Sequence, residues 1–155
     1  MRYYEDLTVG ETASFGHYPV TREEVLDFAR RYDPQPFHLS DEGAAGTHFG
    51  KLAASGWHSC AMTMAMLVEH MKDVPTAGMG AGGIDELRWM KPVYPGDTLR
   101  CQTELLEKRI SASKPDRGFT RSRMTVFNQH EEPVMSFIAN ALIRVRGDGD
   151  RAPAA

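Results

Sequence analysis

Cysteine is nearly absent: the 155 residues hold two, Cys60 and Cys101. No CxxC pair occurs, so both are expected as reduced core thiols without a redox role. An excess of either charge is missing as well, because 18 basic residues face 21 acidic ones for a formal net charge of -3. No global field would draw such a chain to nucleic acid or to an anionic membrane. Long apolar runs are missing too, none approaching the roughly 18 to 20 residues of a membrane span. The opening MRYYEDLTVGE has neither the basic nor the apolar region of a signal peptide, so a cytoplasmic chain is expected. What remains is ordinary globular composition, 41% hydrophobic and 25% charged, with no internal repeat. One domain over residues 1–146 is expected, followed by a disordered tail, 147–155, with hardly any apolar content.

Thr21-Arg22-Glu23-Glu24 reads as a capping box, in which the threonine oxygen takes the Glu24 amide and Glu24 reaches back. Val25, Leu26, Phe28, Ala29 and Tyr32 continue the helical rhythm to Asp33, where Pro34 ends it. The following PQPFHLSDEGAAGTHFGK, rich in proline and glycine, reads as a long ordered loop with one short helical turn near Asp41 to Ala45. Loops of that length usually exist for function. A second helix runs from about Ala54 to Met71. Its stripe of Trp57, Cys60, Ala61, Met64, Leu67, Val68 and Met71, widened by Met62, Ala65 and Met66, predicts a helix buried on nearly every side.

Beyond the turn-rich VPTAGMGAGG the pattern changes to alternation. Strands are expected at Thr12 to His17, Ile84 to Trp89, Thr98 to Glu107, Phe119 to Asn128 and Val134 to Arg146, the last three as an antiparallel meander. An antiparallel sheet curling over one apolar helix is an α+β arrangement. Its edge strands are pairing liabilities, so a homodimer or higher homo-oligomer is expected.

The segment Tyr32-Asp33-Pro34-Gln35-Pro36-Phe37-His38 holds a carboxylate and an imidazole on a chain stiffened by two prolines. General acid and base work needs such rigid spacing. The plainer reading is a helix-ending aspartate and a loop histidine that satisfy nearby backbone groups. Further on, in Ala53-Ala54-Ser55-Gly56-Trp57, Gly56 falls where the apolar helix begins. Unpaired amides and a partial positive charge stand there, and a glycine admits a substrate carbonyl close to the backbone. Tight packing explains such a glycine equally well.

The order YDPQPFH, then FGKLAASGWH, then DELRWMKPVYPGDTL, over residues 3–146, resembles the MaoC-like dehydratases, the group that includes (R)-specific enoyl-CoA hydratases. The resemblance implies a hotdog fold, a curved antiparallel sheet around a long central helix. It also implies Asp33 and His38 as catalytic residues, Gly56 N–H as the oxyanion donor, and reversible hydration of a trans-2-enoyl thioester without metal, flavin or nicotinamide. The chain departs from the family pattern at Tyr32, where glycine is usual, and at Gln35, where asparagine is usual.

Gln35, Ser55, Trp57 and His58 are candidates for lining the substrate pocket. The basic run Lys108, Arg109, Lys114, Arg117, Arg121 and Arg123 offers Arg121 and Arg123 to the phosphates of coenzyme A, although a solvated hairpin face would look the same. Lys91-Pro92-Val93-Tyr94-Pro95-Gly96-Asp97 reads as a turn entering a strand. Two further functions stay open, a thioesterase of the same fold and a non-catalytic acyl-CoA binding module.

Overall fold

Threonine 21 lies in extended backbone conformation and accepts the Glu24 N–H at 3.2 Å, which starts α1 (Arg22–Tyr32) where the sequence predicts it. The reciprocal half of the capping box does not form. Glu24 instead accepts the phenolic proton of Tyr18, at the end of β1 (Thr12–Pro19). Burial, reinforced by that carboxylate, pushes the Tyr18 hydroxyl up to about 12. Asp33 caps the far end of α1 through its own N–H, bonded to the Ala29 carbonyl at 3.0 Å.

The computed structural model describes residues 1–147, so the expected tail lies, Gly147 apart, outside the described residues. The stretch read as a loop with one turn contains two short helices, α2 (Pro36–Leu39) and α3 (Asp41–Ala45). Pro36 at the first position of α2 explains the extra turn, since proline's fixed φ suits a helix start and its missing N–H needs no partner there. A long helix, α4 (Gly56–Asp73), follows, with Ser55 at its N-cap.

Four further strands complete the fold: β2 (Gly78–Trp89), β3 (Thr98–Ile110), β4 (Arg117–Phe127) and β5 (Pro133–Arg144). They form one five-stranded antiparallel sheet in the order β1-β3-β4-β5-β2. The expected meander is β3-β4-β5, and β1 and β2 are the edges. β2 begins earlier than predicted, inside the glycine run. Its pairing with β5 shifts register between Gly78 and Ala81 and again between Ala81 and Gly83, and Gly80 supplies a φ of 98° between the first two. Glycines that read as a turn are therefore used to bend a strand.

α4 packs against β1 and β3 over a core of Val25, Leu52, Met62, Leu99, Val126 and Met135. The helix is not buried on nearly every side. His58, Ser59, Met62, Thr63 and Met66 face inward, whereas Trp57 is 59% exposed, Met64 54% and Val68 49%. One sheet covers one side of a helix, so much of the predicted stripe lies open. Both cysteines are free, Cys60 half-buried in α4 and Cys101 buried in β3. Among the described residues, no helix is long and apolar enough to cross a membrane.

Candidate active site

Helix α2 turns His38 inward, leaving it 5% exposed between the rings of Phe37 and Phe49. Its Nδ1 lies 2.7 Å from the Ala53 carbonyl oxygen. A carbonyl can only accept, so Nδ1 carries a proton toward it and Nε2 is the ring nitrogen left on the other side. That Nε2 stands 3.5 Å from Asp33 Oδ2.

Asp33 is held on both oxygens. Gln35 Nε2 donates to Oδ1 at 2.7 Å, and the Ser55 hydroxyl donates to Oδ2 at 2.6 Å. Burial opposes the negative charge, but the bonds from Ser55 and Gln35 and the neighbouring His38 outweigh it and keep the carboxyl below the usual aspartate value. Ser55 Oγ also accepts the Trp57 N–H at 3.3 Å, so one hydroxyl caps α4 and fixes the carboxylate.

Gly56 is the first residue of α4, and its N–H therefore has no partner within the helix. A Cβ at this position would lie 2.5 Å from Cε2 of Trp89, whose indole N–H donates to the Gly56 carbonyl at 2.9 Å. Tight packing thus requires the glycine, which also lines the cavity. Asp33, Gln35, His38, Gly56 and Trp57 line one cavity of about 480 Å³, together with His48, Phe49, Ala54, Ser59, Trp89, Met90, Lys91, Pro92 and Val93. The cavity combines an anionic carboxylate, an imidazole acceptor and a helix-end amide within apolar walls.

The sequence profile of the MaoC like domain matches residues 6–126. The chain belongs to the MaoC-like domain family. Among solved structures it is similar to a MaoC-like dehydratase from Rhodospirillum rubrum, 38% identical, with a TM-score of 0.87 over 95% of this chain and 99% of that one. An R-hydratase from Pseudomonas aeruginosa is 27% identical with a TM-score of 0.67, covering 99% of this chain and 94% of the other. The mesaconyl-CoA hydratase of Cereibacter sphaeroides is 29% identical over 99% of this chain, which spans 44% of that longer relative. The architecture is the hotdog fold of this MaoC-like group.

Three groups of sequence candidates do not line the cavity: Ser55, expected on its wall, is 1% exposed and acts there only through its bond to Asp33. His58, expected at the pocket mouth, is 3% exposed on the inward face of α4, because the helical turn that brings Gly56 and Trp57 to the cavity directs position 58 toward α1. It stacks on Phe28 at 4.7 Å, and its Nδ1 has no hydrogen-bond partner among the described residues. Burial pushes the imidazole below the ordinary histidine value against the opposing charge of Glu24. Arg121 and Arg123 lie on β4 and meet acids across the sheet. Arg121 bonds Glu107 at 3.0 Å and nears Asp85 at 3.6 Å, and Arg123 bonds Glu104 at 3.2 Å. Arg121 lines a separate groove of about 350 Å³ with Arg109, Phe119, Asn140 and Leu142. Of the basic run, Arg117, Arg121 and Arg123 are thus ion-paired on the sheet.

Sequence reasoning missed His48, Phe49, Ser59, Trp89 and the segment 90–93. The run read only as a turn forms a wall of the cavity, and the Val93 carbonyl accepts the Ala54 N–H at 2.8 Å, fixing the entry to α4. The one available signal was Trp89 itself, a large aromatic beside a turn.

Proposed function

We propose that this chain is a hydro-lyase that adds water across the double bond of a trans-2-enoyl-CoA to give the (R)-3-hydroxyacyl-CoA, and that it runs in reverse as a dehydratase. The reading is carried by the facing pair of acceptors, Asp33 Oδ2 and His38 Nε2 at 3.5 Å, in the cavity that Gly56 borders. A water donating one proton to each acceptor keeps a lone pair outward, toward C3 of the substrate. As its oxygen bonds C3, one proton passes to the pair and a proton from the pair reaches C2, so the enzyme ends as it began. The Gly56 N–H donates to the thioester oxygen, where charge gathers as the C2–C3 double bond is broken. The thioester itself acidifies the C2 proton, so these groups suffice for the chemistry. The similarity to the R-hydratase from Pseudomonas aeruginosa supports the (R) product.

A homodimer is part of the same reading. β2 is an edge strand that is exposed at every position but Leu87, and Ile84 on it joins Met64 and Val68 of α4 as apolar surface without cover. A second copy aligned along β2 would hide this surface, and Trp57 and Trp89, both cavity-lining, lie within reach of that border.

Crotonyl-CoA tests the reading. Loss of enoyl absorbance without thiol release, an (R) product on chiral analysis, and a fall of about 10²- to 10⁴-fold in Asp33→Asn are expected. Thiol release would make the protein a thioesterase, and binding without either change an acyl-CoA binding module.

A further inference from the structure

Glycine is the most mobile residue the chain could put at position 56, and the N–H there has to point in one direction. The structure couples that glycine to an indole at the end of an edge strand. Trp89 closes β2, is 46% exposed and donates its N–H to the Gly56 carbonyl at 2.9 Å, while its ring fills the space where a Cβ would stand. Trp57 meets the same ring edge-on at 5.2 Å and 80°, which fixes the indole from a second side. A residue that served only as apolar wall would need neither the hydrogen bond nor the close seat on a bare Cα.

We propose that Trp89 is a positioning residue: it clamps Gly56 so that the first amide of α4 is held toward the thioester oxygen. The proposal rests on the reading of Gly56 as the carbonyl donor, and it assigns the loss of backbone freedom there to a side chain from the sheet edge. Glycine admits the ring, which seats on its Cα and holds the peptide that follows, while Ser59 N–H, bonded to the Ser55 carbonyl at 3.1 Å, holds the peptide that carries the amide. Because the clamp acts on a group whose bond strengthens as charge develops, it contributes to turnover more than to ground-state binding.

Trp89→Phe keeps a ring and removes the N–H, and Trp89→Leu removes both. With the full chain and crotonyl-CoA beside a ten-carbon enoyl-CoA, kcat should fall about 10- to 10²-fold in both variants, equally for the two substrates, with KM within about threefold. The order parameter of the Gly56 amide in the free protein should drop from the rigid value of about 0.85 in each variant. Unchanged kcat with an altered preference between the two chain lengths would overturn the proposal, leaving Trp89 as a wall. An unchanged Gly56 order parameter in both variants would overturn it whatever the activity. If the wild-type protein hydrates no enoyl-CoA, the proposed function fails, and the order parameter still decides whether Trp89 clamps Gly56. If Trp89→Leu does not fold, Trp89→Phe carries the test.

Discussion

Removing one oxygen atom, by Ser55→Ala, should injure stability and turnover together. The hydroxyl of this buried residue donates to Asp33 at 2.6 Å and accepts the second amide of α4 at 3.3 Å. Loss of an N-cap costs about 1 kcal/mol. A hydrogen bond to a charged partner contributes about 1.5 to 3 kcal/mol. Together they predict a destabilisation of about 2.5 to 4 kcal/mol at pH 7, read as a lower urea midpoint at unchanged slope. Glycine replaces a capping serine at a cost of only a few tenths of a kcal/mol, so Ser55→Gly isolates the bond to Asp33.

The two contributions separate with pH. Asp33 is more acidic folded than unfolded, so the stability it adds is complete above its unfolded value of about 3.9 and is lost as pH falls through the lower folded value. Ser55→Ala weakens that depression. The gap between wild type and variant should therefore be largest near neutrality and shrink as pH falls below that unfolded value. In turnover, the acid limb of kcat/KM should move to higher pH as Asp33 protonates more readily. An equal loss of stability at pH 7 and pH 3, with the acid limb unmoved, would refute the idea that Ser55 keeps Asp33 ionised.

Three other outcomes are expected. His38→Ala should lower kcat about 10²- to 10⁴-fold, and the double variant with Asp33→Asn should be little worse than either alone, because both groups act on one water; steady-state kinetics of the three proteins checks this. Gly56→Ala should cost about 1 to 3 kcal/mol in urea unfolding, since its Cβ meets the Trp89 indole at 2.5 Å, and the addition of Trp89→Leu should recover most of it. Light scattering should give at least twice the 17.3 kDa chain mass, and Met64→Lys with Val68→Lys should return it to the single-chain value.

Much of the fold was legible because its signals are local. Pro34 stops α1 at Asp33, and Thr21 starts it, through rules that act within four residues. The meander was legible for the same reason, alternation being a property of each strand alone. The covered side of α4 was not. Its sequence is apolar around most of the helix, and the choice of His58, Met62 and Met66 over Trp57, Met64 and Val68 depends on which face the sheet reaches. Nor was the start of β2, where Gly78 to Gly83 look like a turn until β5 supplies a partner with an irregular register.

The candidate site divides along the same line. Asp33, Gln35 and His38 share one short proline-stiffened segment, and their neighbourhood follows from spacing. Ser55 and Gly56 are adjacent for the reason helix starts are recognisable, yet the bond from Ser55 to Asp33 joins two separate helices and follows from no pattern within either. Trp89 is further removed, a strand end that becomes part of the site only because β2 crosses back beside β5 and brings its indole over the first turn of α4. Arg121 and Arg123 show the converse case. Basic residues clustered along a hairpin looked available for phosphate, while the acids that engage them, Asp85, Glu104 and Glu107, sit on β2 and β3 beyond the view of any local window. A site built from several strands and helix ends exposes to sequence reading only those groups that one segment carries. The groups that orient the carboxylate and the amide enter through the topology of the sheet.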